Sequence, residues 1–342
     1  MDEKPASILV IKLRAVGDVL LSTVVLRNLR AAFPAARIDF MTEPPARGLL
    51  EGNPDISSVI VYDKTKGSLR YLRNVRRARY DMVIDLFGNP RTAILTLASG
   101  APRRIGFDFR YRRYAYTKRV TPRGDRVHNT QFNLDALEAI GVPIIDRTIP
   151  FRVTEWDARY VEEFLRARFP DGKGIVAMSA GGGWYTKRWG MEHFAALADR
   201  LVDQFGVGIV LPWGPGQQQE VEDLSRMMKS PVFVPPATTL LQLGALFSRC
   251  TFVVSNDSGP MHIAAAVGTP VLGIYGPTNP LLQGPYGEGH VVVRREGLDC
   301  LGCNLTSCPI GHPCMKELSV DMVWQGVEEL VKKNHLPFPT GG

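Results

Sequence analysis

Short apolar runs alternate with helical patterns along most of this chain, and this alternation limits the possible folds more than any other feature. A first series of strand candidates covers residues 8–11, 38–41, 59–61 and 82–86. A second covers residues 175–178, 207–211, 232–234, 252–255 and 271–275. Such alternation is typical of parallel βα units. The sequence therefore predicts an α/β fold with doubly wound parallel sheets.

The two series are separated by an irregular, proline-containing segment over 142–154 and by a helix predicted over 155–168. A chain of 342 residues is too long for one ordinary core and suits two domains. We expect a first domain over 1–165 and a second over 166–342, which ends with a helix that begins at Ser319. Ligands of such sheets bind where the carboxyl ends of the strands meet.

The most distinctive turn runs from Ser255 to Ala266, where a buried strand becomes a helix. Asp257, Ser258, Gly259 and His262 lie in this turn, and the free amides at the start of such a helix favour a phosphate group. An ordinary capped helix start, with His262 as a packed histidine, is the alternative. Neighbouring loops favour the phosphate interpretation.

Three further loops follow strands and carry groups suited to a nucleotide. The first delivers Gly17 and Asp18 to the start of a helix, where Asp18 could also be an N-cap. The next two are expected to contact phosphate or nucleoside through Gly182, Gly183, Thr186, Lys187, Trp213 and Gln217. The chain contains neither G-x-G-x-x-G nor G-x-x-x-x-G-K-[ST], which argues against an ordinary dinucleotide dehydrogenase and a P-loop NTPase. It has no D-x-D either, so amides, hydroxyls and lysine would have to offset diphosphate charge.

The whole chain has a net charge of +7, and its basic residues are concentrated in the first half. Aromatic residues separate several of the arginines. This pattern fits a solvated surface, nucleic-acid stacking, a membrane-surface loop or a polyanionic, lipid-linked acceptor. The residues expected to bind an acceptor are Lys64, Lys66, Arg70, Arg103, Arg104, Arg110 and, as either an acceptor contact or a helix cap, His128.

Taken together, these motifs resemble glycosyltransferase family 9, the ADP-heptose:lipopolysaccharide heptosyltransferases. The similarity extends from residues 11–20 through 187–189, 211–216 and 257–262 to the cysteine-rich segment near the end. It implies a GT-B architecture, in which two Rossmann-like domains face a central cleft. It also implies inverting, metal-independent transfer of heptose, without a cofactor, from ADP-L-glycero-D-manno-heptose to the inner core of lipopolysaccharide.

The same resemblance assigns roles to individual residues. Asp18 matches the proposed catalytic base, Lys187 and Thr186 match phosphate ligands, and the loop from Asp257 to His262 matches the donor-binding loop. An inverting transfer needs a carboxylate to take the proton of the attacking hydroxyl and cations to stabilise the leaving diphosphate, and Asp18 and Lys187 supply these. Many relatives have Glu where this chain has Gln217, so its base specificity stays open.

Four of the five cysteines, Cys300, Cys303, Cys308 and Cys314, lie within fifteen residues. Their spacing suits a zinc ion or cluster in a reducing compartment, although similar cysteines in this family imply no catalytic metal. Cys250 is predicted to be a buried core thiol.

The sequence thus predicts an inverting heptosyltransferase of lipopolysaccharide core assembly. We expect a monomer at the cytoplasmic face of the inner membrane that takes ADP-heptose and a Kdo-lipid A type acceptor and binds no nucleic acid. The N-terminal residues show no signal-peptide pattern. Transfer of another sugar and a non-catalytic nucleotide- or nucleic-acid-binding protein remain alternatives. Which heptose position is extended stays open.

Overall fold

The computed structural model describes residues 4–338 and divides the chain into two compact units. The first ends at Arg152 and the second begins at Val153. Residues 1–3, part of the N-terminal stretch considered above, lie outside the described range. The predicted fold class is confirmed, since each unit is an α/β layer structure built on a six-stranded parallel sheet.

The first unit carries strands β1 to β6 in the order β3-β2-β1-β4-β5-β6. The strands are β1 (Ser7–Ile11), β2 (Arg37–Thr42), β3 (Ser58–Val61), β4 (Met82–Asp85), β5 (Arg103–Phe107) and β6 (Lys118–Val120). The helices are α1 (Val16–Ser22), α2 (Val24–Ala32), α3 (Arg47–Leu50), α4 (Ser68–Arg77), α5 (Pro90–Ser99) and α6 (Asn129–Glu138).

The second unit repeats this topology, with its sheet in the order β12-β11-β10-β7-β8-β9. Its strands are β7 (Ile175–Ser179), β8 (Gly208–Val210), β9 (Val232–Phe233), β10 (Phe252–Asn256), β11 (Val271–Tyr275) and β12 (Val291–Arg294). Its helices are α7 (Glu155–Arg168), α8 (Met191–Phe205), α9 (Gln218–Met227), α10 (Leu240–Phe247), α11 (Gly259–Ala266), α12 (Pro280–Gln283), α13 (Pro313–Lys316) and α14 (Val320–Lys333).

The basic region after residue 100 contains two strands that were not among the strand candidates of the sequence. It contains β5 and β6, and the outermost strand β6 keeps Lys118 and Arg119 exposed. Charged side chains are common on edge strands because they discourage pairing with another chain. The basic composition of this region therefore gave no sign of the two strands that complete the sheet.

The boundary between the units lies after Arg152, whereas the sequence suggested a division between 165 and 166. Helix α7 was expected to join the two halves, with the boundary near its end, but it packs against α10 of the second unit. Its buried Val161 and Leu165 explain this placement, because an amphipathic helix joins the core that covers its apolar side.

In the described residues, no helix is both long enough and apolar enough to cross a membrane.

Helix α14 approaches the second sheet closely because Gly326 faces β12 and β11. A Cβ atom at this position would lie 2.3 Å from Cγ2 of Val293 and 2.9 Å from Cδ1 of Leu272. We expect Gly326→Ala to lower the free energy of unfolding by about 1 kcal/mol, because overpacking costs more than the gain in helix propensity. Urea unfolding of the full chain would measure this change.

Gly48→Ala is the matched control, since nothing lies within 4 Å of the Cβ position in helix α3. The close approach of α14 would be refuted by equal stability of Gly326→Ala and wild type.

Candidate functional site

Asp18, Lys187 and Asp257 lie on loops that follow strands at which the strand order reverses. These strands are β1 and β4 in the first unit and β7 and β10 in the second. Connections from such neighbouring strands leave in opposite directions, so a crevice opens at their carboxyl ends. The shared topology explains why short, separate motifs along the sequence form a site within each unit.

Asp18 lies in the first turn of α1, and its carboxylate is held from two sides. Its Oδ2 accepts a hydrogen bond from the Ala15 amide at 3.2 Å, and its Oδ1 accepts one from Asn129 Nδ2 at 2.6 Å. Ala15 occupies the N-cap position, so Asp18 is the third helical residue and not the cap itself. Asn129 was missed in the sequence, where only its position after His128 could have drawn attention to it.

A buried lysine lies near this carboxylate. Lys12 follows β1 and donates from Nζ to the Leu86 carbonyl at 3.1 Å. Burial lowers the pKa of Lys12, while the charges of Asp18 and Asp85 act to raise it. The Asp85 carboxylate is itself buried, which raises its pKa, and it accepts a hydrogen bond from the Tyr116 hydroxyl at 2.8 Å. The crevice at β1 and β4 therefore has a network of charges beneath Asp18.

Lys187 and Asp257 form an ion pair in the second unit, with 2.7 Å between Nζ and Oδ2. Lys187 follows β7, Asp257 follows β10, and both side chains are largely shielded from water. Thr278 donates a 2.6 Å hydrogen bond to the same Asp257 oxygen, and the Lys187 ammonium lies 4.6 Å from the Trp184 ring centroid. The pair joins two loops that the sequence assigned separately to a phosphate site.

The start of α11 completes this part of the site. Ser258 occupies the N-cap position without making a side-chain capping bond, Gly259 begins the helix, and His262 is buried in its first turns. Asn256 connects the two strand ends, since its Nδ2 donates to the Ala180 carbonyl at 2.6 Å and its Oδ1 accepts from the Trp189 amide. Asn256 lies within the turn predicted from the sequence but was not named there as a site residue.

The glycine loop after β7 is held by side chains from neighbouring segments. Arg188 donates from Nε and Nη2 to the Gly182 carbonyl at 2.9 and 2.7 Å. Gln217 lies against Gly181, where a Cβ atom would be 2.4 Å from the amide nitrogen, and its Oε1 accepts from the Gly214 amide. At Gly183 a Cβ atom would meet nothing within 4 Å. The amide predicted to contact the nucleoside thus supports its own turn.

Trp213 lies beside the edge strand β9. Its indole nitrogen donates to the Pro235 carbonyl at 2.9 Å, and it lines a groove of about 750 Å³ with Phe164, Phe233 and Pro236.

The cysteine-rich segment supports the lysine loop. The Thr186 hydroxyl, which was expected to contact phosphate, donates instead to the Leu305 carbonyl at 2.8 Å, and His312 Nε2 contacts the Thr186 carbonyl. Thr186 and His312 border a cavity of about 210 Å³ that is also lined by Cys300, Cys303, Cys308 and Cys314. Burial and the three neighbouring thiols raise the pKa of Cys314 to about 11.

Over residues 4–338, no three histidine, cysteine, aspartate or glutamate side chains are grouped as metal ligands. Cys250 is buried as predicted, and burial raises its pKa to about 12.

The predicted acceptor residues do not lie together. Lys64, Lys66 and Arg110 follow the carboxyl ends of β3 and β5, and Arg70 is in the first turn of α4, so these four belong to the edge of the sheet that carries Asp18. Arg103 and Arg104 begin β5 and lie at the opposite edge, where Arg104 donates to the carbonyls of Ala101 and Ala115.

His128 is the N-cap of α6, where its Nδ1 accepts from the Thr130 amide at 3.1 Å. The sequence had left capping open as an alternative to acceptor contact.

Comparison with known proteins adds the family. Residues 68–312 match the model of glycosyltransferase family 9 (heptosyltransferase). The chain belongs to glycosyltransferase family 9. The family resemblance and the enzyme class predicted from sequence, a glycosyltransferase of the heptosyltransferase type, are thereby confirmed.

Individual relatives support the same family and fold. The chain is 27% identical to the lipopolysaccharide core heptosyltransferase OpsX of Haemophilus influenzae, over 83% of each chain. A family 9 glycosyl transferase from Veillonella parvula superposes with a TM-score of 0.87 at 26% identity, covering 96% of this chain and 97% of that one. The E. coli heptosyltransferase WaaC, solved with ADP, shares the fold with a TM-score of 0.71 at 22% identity, over 95% and 99% of the two chains.

The ion pair between Lys187 and Asp257 has a measurable consequence for stability. Lys187→Met leaves a buried carboxylate without its cation, so we expect the free energy of unfolding to fall by about 3 kcal/mol. The double variant Lys187→Met/Asp257→Asn removes both charges and should recover most of the loss. Urea denaturation of the two variants and of Asp257→Asn alone would complete the cycle.

Additive losses in the double variant would show that the two charges are not coupled in the folded protein.

Proposed function

We propose that this enzyme transfers heptose from ADP-L-glycero-D-manno-heptose to the inner core of lipopolysaccharide, with inversion and without a metal ion. The observation that carries the proposal is the shielded Lys187 ammonium at the carboxyl end of β7, beside the N-terminus of α11. Relatives named as lipopolysaccharide heptosyltransferases support the acceptor class, and the ADP bound by WaaC supports the donor.

The donor diphosphate would bind to the second unit. The first amides of α11 offer hydrogen bonds and the positive end of a helix dipole to one phosphate. The Lys187 ammonium would interact with the leaving ADP as well as with Asp257, and would stabilise the negative charge that develops on the diphosphate. Gly182 and Gly183 leave the backbone open to close approach, Trp213 would border the adenosine, and Gln217 would remain in its turn.

Thr186 has a positioning role in this proposal, because its hydroxyl bonds to Leu305 and leaves Lys187 as the phosphate ligand of that turn. Asp257, Ser258, Gly259 and His262 would form the rest of the donor loop.

Asp18 would be the catalytic base. Its carboxylate would take the proton of the acceptor hydroxyl as the oxygen attacks the anomeric carbon from the side opposite ADP, which inverts the configuration. Asn129 and the Ala15 amide hold one oxygen each, so a lone pair on either oxygen stays available in a defined direction. Gly17 is buried beside Asp18 in the first turn of α1.

The acceptor would bind along the edge of the first sheet that carries Asp18. Lys64, Lys66, Arg70 and Arg110 would contact its phosphates and carboxylates, and His128 would contribute through the α6 start that positions Asn129. We do not retain Arg103 and Arg104 in this role, because they lie at the other edge. The protein would act as a monomer at the cytoplasmic face of the inner membrane, with a Kdo-lipid A type acceptor.

Substitution of the base tests the mechanism directly. We expect Asp18→Asn to lower kcat by roughly 10²- to 10⁴-fold with little change in ADP affinity, because the amide cannot accept the proton. Asn129→Ala should give a smaller fall in kcat, since Asp18 keeps its charge and loses only its orientation. Turnover of ADP-heptose with a truncated core acceptor, followed by mass spectrometry, would measure both.

Near-normal turnover by Asp18→Asn would show that Asp18 is not the base and only stabilises the start of α1 through its bond to Ala15. Faster turnover of a different nucleotide sugar than of ADP-heptose would favour the alternative in which another sugar is transferred.

The donor site gives a separate expectation. Lys187→Gln should reduce kcat/KM for ADP-heptose on the order of 10²-fold, because a cation that stabilises developing diphosphate charge is lost. EDTA or added magnesium should leave the wild-type rate nearly unchanged. Strict dependence on a divalent ion would contradict a diphosphate site that relies on Lys187 and backbone amides.

Charges at the two edges of the first sheet should have different effects on the acceptor. Lys64→Gln/Lys66→Gln should raise the acceptor KM roughly 3- to 10-fold at low salt and leave the donor KM unchanged, since exposed pairs contribute modestly and are screened by salt. Arg79→Gln/Arg103→Gln, at the opposite edge, is the charge-matched control. Initial rates at several salt concentrations would test both variants.

Equal acceptor KM values for the two variants would contradict acceptor binding at the edge that carries Asp18. Tighter binding of duplex DNA than of core oligosaccharide would favour the nucleic-acid-binding alternative.

A further inference from the structure

Three neighbouring segments of the first unit form a surface that extends beyond Arg70 and Arg110, the two of its residues that the proposed reaction uses. They are α4, α5 and residues 110–114, which we call the outer face. Tyr71 and Val75 of α4 join Leu95 of α5 in one core cluster against the sheet, so the two helices cover the same side of it. The 110–114 segment lies beside α5, because Ala115 and Tyr116 pack against Ala93. The segments are therefore continuous.

The outer face exposes an unusual amount of apolar surface. Leu69 is 68% exposed, Ile94 57%, Leu97 54%, Tyr111 72% and Tyr114 67%. Ile94 and Leu97 are three residues apart and project from the same side of α5. Single exposed apolar residues are ordinary on protein surfaces, but several on adjoining segments usually mark an interaction site.

The outer face is strongly positive, and one acidic residue, Asp108, lies at its border beside Arg110 and Arg113. Arg70, Arg73, Arg77, Arg110 and Arg113 are exposed on it, and neither α4, nor α5, nor residues 110–114 contain an aspartate or glutamate. Residues 64–120 include fifteen lysines and arginines and only three acidic residues. Two of the three, Asp81 and Asp85, are engaged elsewhere, by main-chain amides and by Tyr116. The positive excess of the whole chain is therefore concentrated here.

Exposed leucine and isoleucine, tyrosines and arginines together match the chemistry of a bilayer surface. Aliphatic side chains enter the boundary of the acyl chains, tyrosines lie at the level of the headgroups, and arginines contact anionic phosphates while their stems remain in apolar surroundings. Nucleic acid would account for the arginines and tyrosines but not for Leu69, Ile94 and Leu97.

We propose that the outer face docks onto an anionic phospholipid bilayer. This adds a docking surface to the proposed function, from which it takes the expectation that the acceptor is anchored in a membrane. The first turn of α4 and Arg110 lie at the same edge of the sheet as Asp18. Docking through this face would therefore bring a lipid-anchored acceptor to the edge that carries the proposed base.

Vesicle binding without any sugar ligand tests the proposal independently of catalysis. The wild-type protein should sediment with vesicles of phosphatidylcholine and phosphatidylglycerol, much less with phosphatidylcholine alone, and less at high salt. Arg73→Gln/Arg77→Gln should lower the partition coefficient by about 30-fold, because each arginine near an anionic surface contributes about fivefold. Leu69→Ser/Ile94→Ser/Leu97→Ser should weaken it by about tenfold or more.

Matched substitutions elsewhere provide the controls. Ile145→Ser/Leu281→Ser removes apolar side chains that are 65% and 80% exposed outside the outer face, and Arg159→Gln/Arg166→Gln removes arginines that pair with glutamates on α7. Both controls should bind vesicles like wild type. All variants should turn over a water-soluble truncated acceptor at the wild-type rate, because none of the changed residues belongs to the proposed donor site or base.

Three results would overturn the proposal. The first is equal binding of the wild-type protein to the two kinds of vesicle. The second is unchanged vesicle binding by both outer-face variants. The third is a wild-type dimer that the leucine and isoleucine substitutions dissociate, because this face would then be an interface between two copies of the chain. Should the triple variant fail to fold, Tyr111→Ser/Tyr114→Ser serves in its place, since both rings are largely exposed. Loss of activity in Asp18→Asn with vesicle binding intact would separate this proposal from the proposed function.

Discussion

Parallel strand pairing with a reversal of strand order is the constraint on which the rest of this structure depends. Parallel neighbours require helical crossovers, and right-handed crossovers in opposite directions leave the backbone at β1 and β4, and again at β7 and β10, open at their carboxyl ends. The charged groups Asp18, Lys187 and Asp257 lie on loops that this arrangement creates, after β1, β7 and β10. The apolar strands beneath hold those loops in place without contributing chemistry.

Buried charge is treated in the same way at both reversals. Lys12 lies near Asp18 and Asp85, while Lys187 pairs with Asp257. Taking such groups out of water is unfavourable unless they are paired and hydrogen-bonded, and tyrosine, threonine and main-chain groups supply the remaining bonds. An enzyme that handles a charged leaving group needs this arrangement, because shielded charges act strongly and need little reorganisation.

Supporting side chains were the part of the site that sequence reasoning missed. Asn129, Asn256 and Arg188 were not named as site residues in the sequence, yet each fixes a loop. Asn129 and Asn256 bond to groups far away in sequence, and Arg188 links the Gly182 carbonyl of its own loop to Glu220 of α9. The cysteine-rich segment is similar, because its spacing suggests a metal while its contacts support Thr186 and the lysine loop. Such roles arise only when distant segments meet.

The sequence by itself determined the α/β class, the two series of strands, the loops that carry Asp18, Lys187 and Asp257, and membership of the family. Local periodicity and local turn chemistry are sufficient for these, because each depends on residues that are neighbours along the chain. Only the tertiary structure decided that α7 joins the second unit, that Lys187 pairs with Asp257, and that Arg103 and Arg104 lie away from Asp18. Those facts depend on which elements pack together, and packing partners are chosen by the complete set of apolar faces and strand registers, which no short stretch of sequence contains.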